Sequence, residues 1–410
     1  MKVLLVNTFH YHRGGDCTYT FSLADLLRRG GHDVRFFGMH HPENLPHPDS
    51  RYWVDAIDFV DANRSKNPRN AFRVVSRAIY STQARDRIAR MLEDVRPDVA
   101  HLQNLHAHLT PSILEPLAER GIPAIWTLHD FKLICPNSHL LSNGTVCESC
   151  RGHRYHQCVL KKCKKGSRLA SIVAALEATV HQFLGIRKKV SRFVSPSRFL
   201  RDKFLEFGWP EEKLGHVRNF LPEERLGGRP TFADEGYVLY FGQLEPWKGV
   251  GTLVRAMAGL GDRLLVVAGD GTERAALEAE AVRSGAKVRF TGRLSWDTLR
   301  PMIEKAAAVA IPSECYENCP YTVMETMAMG KPVLATNLGG LPELVEDGVT
   351  GVLVRPKDPS HLREALERVL SDAVVRRRMG EAARERAVAE FDPALHYDRI
   401  LDLYRNAATA

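Results

Sequence analysis

The sequence predicts an α/β protein of two doubly wound domains, each a parallel sheet with helices on both faces. Three observations lead there. Short β-branched runs alternate with stretches of helical period from residue 3 to 194, the pattern of βαβ units. The alternation stops over 221–235 (LPEERLGGRPTFADE), where glycine, proline and charge gather without period, and restarts at 237. The length, 410 residues, suits two such units.

Taken in order, 3–6 is a buried strand, followed by a polar turn holding Gly14 and Gly15 and a helix over 19–29 stopped by Gly30-Gly31. A strand at 33–37 leads into a loop rich in proline, histidine and asparagine over 40–68. A helix is expected over 69–92, with Phe72, Val75, Ile79, Ile88 and Leu92 on its apolar side, then strands at 98–102, 124–128 and 191–194. Beyond the break, strands are expected at 237–241, 264–268, 288–290, 308–311, 332–335 and 352–354, and a last helix over 391–404. The first domain is drawn at 1–200 with 391–410, the second at 201–390. In such sheets ligands sit beyond the carboxyl ends of strands, so the loops after strands should carry the chemistry.

Composition narrows the function class. A chain 44% hydrophobic and 26% charged is neither disordered nor collagen-like. No apolar run reaches the ~18 residues of a membrane helix, and the run at 2–7 is too short for a signal peptide. The expected location is the cytoplasm. The net charge is +8, with basic residues gathered in the first half over 69–90, 161–168 and 187–192. Such clusters serve an anionic bilayer, at the inner face of the plasma membrane, or only a solvated surface.

The most informative stretch runs from Ile311 to Val333. A strand ends near Pro312, a turn carries Glu317, and a helix starts near Tyr321 with Pro320 at its first turn. Free N–H groups at that terminus make an anion seat, and two carboxylates beside it, Glu317 and Glu325, suit the hydroxyls of sugar and ribose. Taken alone, the pair reads equally as a helix-start acid and a solvated acid.

The context is more specific. Pro312-Ser313, Glu317, Glu325, Met327-Ala328, Gly330 and Pro332-Val333, followed by Gly339-Gly340 and Glu343, resemble the family 4 retaining glycosyltransferases of GT-B fold. Phe241-Gly242-Gln243-Leu244 with Lys248-Gly249, Val267 to Gly271 and Phe290-Thr-Gly292 fall in the same order. The resemblance is close over about 237–355 and looser before it. It implies two Rossmann-like domains facing across a cleft, the first taking the acceptor and the second a nucleotide-diphosphate sugar.

The resemblance further implies that Glu325 holds the ribose, that Glu317 contacts the donor sugar with Asn318, Cys319, Pro320 and Tyr321 just after it, and that Lys248 binds the diphosphate. Gly14, Gly15, Gly269 and Arg293 complete the donor set. Gln243 stands where the family has an arginine, so charge neutralisation falls on Lys248 and the helix dipole, with Arg13 a candidate substitute. His129 ends the strand at 124–128 and matches a histidine near the donor, while Arg13, His106 and His108 are candidates for the acceptor side. His129, Glu317 and Lys248 form the expected catalytic group, in a front-face displacement that leans on positioning and on the leaving diphosphate. No Asp-x-Asp is present, so no catalytic divalent ion is expected.

The cysteines stand apart. Cys147, Cys150, Cys158 and Cys163 fall within an insertion at about 135–165 that is too polar to build a core. The spacing fits a structural zinc site, and also reduced thiols in a lid. The expected activity is sugar transfer from a nucleotide sugar to a saccharide or lipid-linked saccharide, in cell-surface polysaccharide or glycolipid synthesis. A nucleotide-sugar epimerase or hydrolase on the same fold is the alternative. A zinc-containing nucleic-acid-binding protein fits less well, because no aromatic and basic residues interleave and no groove-reading helix stands out.

Overall fold

The structure, a computed structural model, describes residues 1–57, 68–228, 230, 232 and 234–408. Strands β1 (Lys2–Val6), β2 (Asp33–Phe37), β3 (Val99–Leu102) and β4 (Ala124–Thr127) precede a small antiparallel hairpin, β5 (Leu141–Ser142) and β6 (Thr145–Val146). Strands β7 (Arg192–Ser195) and β8 (Leu214–His216) follow, and six of these eight make a parallel sheet in the order β2-β1-β3-β4-β7-β8.

The second sheet takes β9 (Val238–Phe241), β10 (Leu265–Ala268), β11 (Val288–Gly292), β12 (Ala308–Ile311), β13 (Val333–Thr336) and β14 (Gly351–Val354). It is parallel too, in the order β11-β10-β9-β12-β13-β14. Its central strands are short continuous apolar runs such as Ala-Val-Ala-Ile, buried throughout, as a sheet covered on both faces requires. Alternate residues serve opposite faces. Leu239, Val309 and Ile311 join a core continuous with the first lobe, while Val238, Ala308 and Ala310 join a separate core on the far side.

In the second sheet the winding direction reverses between β9 and β12, and in the first between β1 and β3. Loops leaving those strands therefore open on crevices where ligands bind. The loops after β9 and β12 hold Gln243 to Lys248 and Ser313 to Glu317, and the loop after β1 holds Arg13 to Gly15.

The helix after β1 spans Gly15–Arg29, four residues earlier than its sequence period indicates, so Gly14 and Gly15 form its N-terminus. The long helix expected over 69–92 is two helices, Pro68–Ile79 and Thr82–Val95. Ser81 divides them: its Oγ accepts from the Ala84 N–H at 3.1 Å and caps the second. The loop expected over 40–68 contains a 3₁₀ turn, Pro48–Tyr52, and its part from 58 to 67 lies outside the described residues.

The boundary at 200/201 needs correction. β8 pairs in parallel with β7 through Phe193–Leu214 and Ser195–His216, so the first sheet extends to residue 216. The last helix, Pro393–Ala408, returns to the first lobe. There Tyr404 Oη lies 2.8 Å from His101 Nδ1, and Tyr19 Oη lies 3.1 Å from His396 Nε2. The outgoing and returning segments meet where the Leu221 N–H donates to the Phe391 carbonyl at 3.0 Å. Among the described residues no helix is long and apolar enough to cross a membrane.

Candidate functional site

The loop after β9 folds into a 3₁₀ turn at Pro246–Lys248 and ends at Gly249, whose φ of +70° belongs to the left-handed region. A Cβ there would lie 1.9 Å from the Pro312 carbonyl oxygen, so only glycine lets this loop press on the one after β12. The contact brings Lys248 Nζ to 2.7 Å from Glu317 Oε1, which also accepts from Ser313 Oγ at 2.6 Å. Behind Glu317, its carbonyl accepts from the Gly340 N–H at 2.7 Å, and a Cβ on Gly340 would meet the Asn318 carbonyl at 1.9 Å. The Gly339-Gly340 pair is thus the platform under the acid.

Burial alone would push the Glu317 carboxyl up, but Lys248 and the Ser313 hydroxyl outweigh it and hold the group below its ordinary range. Burial works against the Lys248 ammonium as well, and Glu317 more than offsets it, so Lys248 is held above its ordinary value. The pair is charged on both sides.

These residues border a cleft between the lobes. One part, about 560 Å³, is lined by Arg13, Gly14 and Gly15 from the first lobe and by Gln243, Lys248, Gly269, Arg293, Glu317, Pro320 and Tyr321 from the second. Three cations thus face it, together with the N-termini of the helices Gly15–Arg29 and Tyr321–Ala328. That arrangement is suited to a multiply charged anion. Gln243 is exposed at the wall and brings no charge, but Arg13 and Arg293 line the same space. The Arg13 guanidinium rests 4.0 Å over the Phe9 ring. Tyr321 Oη is buried and has no hydrogen-bond partner among the described residues.

The adjoining part, about 430 Å³, reaches His129, Asn318 and Cys319. His129 Nε2 lies 2.7 Å from Gln103 Oε1. Burial lowers its pKa against the opposing pull of Asp16 and Asp130, leaving a neutral imidazole at neutral pH. Asn318 is taken up in joining the lobes: its amide donates to the Leu128 carbonyl at 3.1 Å, and Ser197 Oγ donates to its carbonyl oxygen. Glu343 does the same further out, accepting the N–H groups of Arg198 and Phe199 at the start of a first-lobe helix.

Three expected site residues are placed elsewhere. Glu325 lines neither part of the cleft; its carboxylate is buried and paired with Arg225, which stacks 4.7 Å over the Trp296 ring. Burial raises the Glu325 carboxyl to about 7 even though Arg225 pulls it down. His106 lies 3.4 Å from Asp130 at a small cavity off the cleft. His108 Nδ1 accepts from the Ile57 N–H at 3.2 Å, turned into the first lobe, and burial first, with Arg77 and Arg13, lowers its pKa to about 4.

The expected zinc site finds no support in the placement of the side chains. Among the described residues no group of three or more His, Cys, Asp or Glu side chains is gathered to hold a metal. Cys147 Sγ faces Ser149 and Lys161, whereas Cys150 and Cys158 are buried with Tyr155 and Ala175, with Cys163 packed against them. Burial first, and then the neighbouring thiols, push Cys150 and Cys158 up to about 12. The insertion instead crosses the cleft. Glu148 accepts from Tyr316 Oη and pairs with Lys203, each at 3.0 Å, and the His139 ring lies 5.1 Å from Trp247. Ser138, His139 and Trp247 wall the second part of the cleft, contacts that no local pattern in the sequence signals.

Comparison with known proteins gives the family and the fold. Residues 13–225 match the model of Glycosyltransferase Family 4, and residues 227–386 that of Glycosyl transferases group 1. The alpha-D-kanosaminyltransferase of Streptomyces kanamyceticus is 34% identical over 180 residues, 42% of this chain and 46% of that one. The lipopolysaccharide core biosynthesis glycosyltransferase LpsE of Rhizobium meliloti is 30% identical over 212 residues, 50% of this chain and 61% of that one. The chain spans about half the length of the curated relatives it matches. Anabaena HepE, solved with UDP-glucose, superposes with a TM-score of 0.71 at 17% identity over 99% of this chain and 100% of that one. The sucrose-phosphate synthase of Thermosynechococcus elongatus superposes with a TM-score of 0.71 at 19% identity, over 99% and 98%. The two lobes have the GT-B architecture, and with a family model covering more than half its length the chain is a member of glycosyltransferase family 4.

Proposed function

We propose that the chain moves a sugar from a nucleotide-diphosphate sugar to a saccharide or lipid-linked saccharide, with retention at the anomeric carbon and without a divalent ion. The observation that carries this reading is the Lys248–Glu317 pair in the wall of a cleft where two helix N-termini and two arginines converge. The pyrophosphate would sit against Lys248, Arg293, Arg13 and the N–H groups at Gly15 and Tyr321. Glu317 would take hydroxyls of the donor sugar, and the acceptor would enter beside His129.

The bond from the anomeric carbon to the diphosphate oxygen breaks as the acceptor oxygen approaches the same face. The acceptor proton leaves with the departing phosphate. Cations already placed where negative charge grows are the main source of acceleration, and closure of the cleft supplies orientation. In this arrangement Glu325 is occupied by Arg225, and a ribose reaches it only if that pair opens. The similarity to a glycosyltransferase of lipopolysaccharide core biosynthesis supports a saccharide acceptor, and the UDP-glucose of HepE makes uridine nucleotides the first donors to try.

The test is a thermal-shift panel of UDP-, GDP- and ADP-sugars, followed by transfer to saccharide acceptors with the product anomer read by NMR. Stabilisation by one donor class and an acceptor-dependent product are expected. Donor consumption that ignores the acceptor would favour an epimerase or hydrolase. No stabilisation by any nucleotide sugar would refute the reading.

A further inference from the structure

The helix Arg168–Phe183 is built inside out. Its inward face carries Ser171, Ala174, Ala175, Glu177 and His181. Glu177 pairs with Lys132 at 2.7 Å, and His181 Nε2 lies 2.8 Å from the Ile79 carbonyl, so polar contacts hold it to the first lobe. Its outward face carries Leu169, Ile172, Leu176 and Phe183, exposed by 72%, 45%, 49% and 83%. The spacing of three, four and seven puts all four on one stripe. Leu160, 67% exposed, stands just upstream of the helix. A water-facing helix normally has the reverse pattern, and a contiguous apolar stripe of this kind marks a surface that meets something apolar.

Charge identifies what it meets. Between Lys161 and Lys189 the only acid is the buried Glu177, against eight lysines and arginines. Lys162, Lys165 and Arg168 stand exposed at one end of the stripe and Lys188 at the other. Among the described residues none of these four is within ion-pair distance of an acid. Leucine, isoleucine and phenylalanine on one face with cations at both ends is the chemistry of a helix lying in the interface of an anionic bilayer. The helix is neither long nor apolar enough to cross one.

We infer that this face docks the protein on the surface of an anionic lipid bilayer, with Phe183 and the three aliphatic side chains in the acyl boundary and the flanking cations on headgroups. The inference stands on the helix alone. It does not depend on the donor reading, and the two are measured separately.

The test is co-sedimentation of the full chain with vesicles of phosphatidylcholine containing about one-third phosphatidylglycerol, beside vesicles of phosphatidylcholine alone. Binding to the anionic vesicles, weakened by salt, is expected. Leu169→Ser combined with Ile172→Ser, Leu176→Ser and Phe183→Ser should lower the partition about tenfold or more. Lys162→Glu with Lys165→Glu and Arg168→Glu should do the same, while both variants keep the parent melting temperature and donor-induced shift. Absence of binding by the parent chain, or binding unchanged in both variants, would overturn the inference. A dimer seen by sedimentation equilibrium that the apolar variant abolishes, without vesicle binding by the parent, would also overturn it and assign the stripe to a second copy of the chain.

Discussion

Lys248 and Glu317 lie 69 residues apart, at the ends of loops leaving two different strands, and meet at 2.7 Å. Each faces the cleft, so the ammonium that would neutralise an incoming diphosphate is already paired before any ligand arrives. On the proposed reading, binding divides Lys248 between the acid and the phosphate. Lys248→Met is expected to abolish most of the donor-induced thermal shift, because the remaining cations, Arg13 and Arg293, lie at the rim. Isothermal titration with donor and with free nucleoside diphosphate checks this, and an unchanged affinity would remove Lys248 from the phosphate site.

The same pair has a pH signature. Glu317 is held below its ordinary value, so its contribution to stability is present above the unfolded-state pKa and is lost as pH falls through the lower folded value. Lys248 is held above its ordinary value, so its contribution is complete below the unfolded pKa and fades only as pH rises past the folded one. Glu317→Gln should therefore lower the melting temperature at neutral pH by more than it does in strong acid. Calorimetric scans of both proteins between pH 3 and 8 would show the gap closing on the acid side.

Glu325 behaves in the opposite sense. Its folded value, raised to about 7 by burial, means that the folded protein holds a proton that the unfolded chain releases near pH 4 to 5. That contribution to stability is complete below the unfolded value and declines as pH rises through 7, by at most about 3 kcal/mol. Glu325→Gln is expected to flatten stability between pH 5 and 8. An unaltered slope in chemical denaturation at several pH values would show that the carboxyl titrates normally.

His129 is neutral and tied to Gln103. His129→Ala is expected to lower kcat by ~100-fold with little change in donor affinity, the size of effect a misplaced reactant carries, because the ring walls the part of the cleft where the acceptor would enter. Steady-state kinetics beside calorimetric donor binding separates the two. A loss confined to KM would make the ring a binding surface only.

Metal removal should be silent. With no group of three potential ligands gathered among the described residues, dialysis against EDTA is expected to leave the melting temperature unchanged. Elemental analysis of protein purified without chelator should find less than about half an equivalent of zinc. A drop in stability on chelation would require the segment to rearrange around an ion.

Most of the second lobe was legible because its signals are local. Proline at a helix start, glycines at close approaches and four-residue buried strands each leave a mark within a few positions, which is why the loop after β12 and the helix at Tyr321 fall where expected. The split at Ser81 was readable in principle from a serine at a helix start, but the apolar period runs through it and masked the break. β8 is three residues long with only Leu214 fully buried, too little for a pattern. Glu325 sits on the expected helix, yet its partner Arg225 comes from the connection 100 residues earlier, and nothing in the spacing of the helix announces it. The thiols show the same gap: ligand-like spacing says where cysteines fall along the chain, while the turn at Ser149 decides which way Cys147 points.

The chain passes between the lobes twice, and the two passages are fastened together where Leu221 donates to Phe391. A single tether would let the lobes swivel freely. Two tethers joined side by side restrict that swivelling, and the bonds of Asn318 and Glu343 to the first lobe add to the restraint, which keeps Glu317 across the cleft from the glycines at 14 and 15.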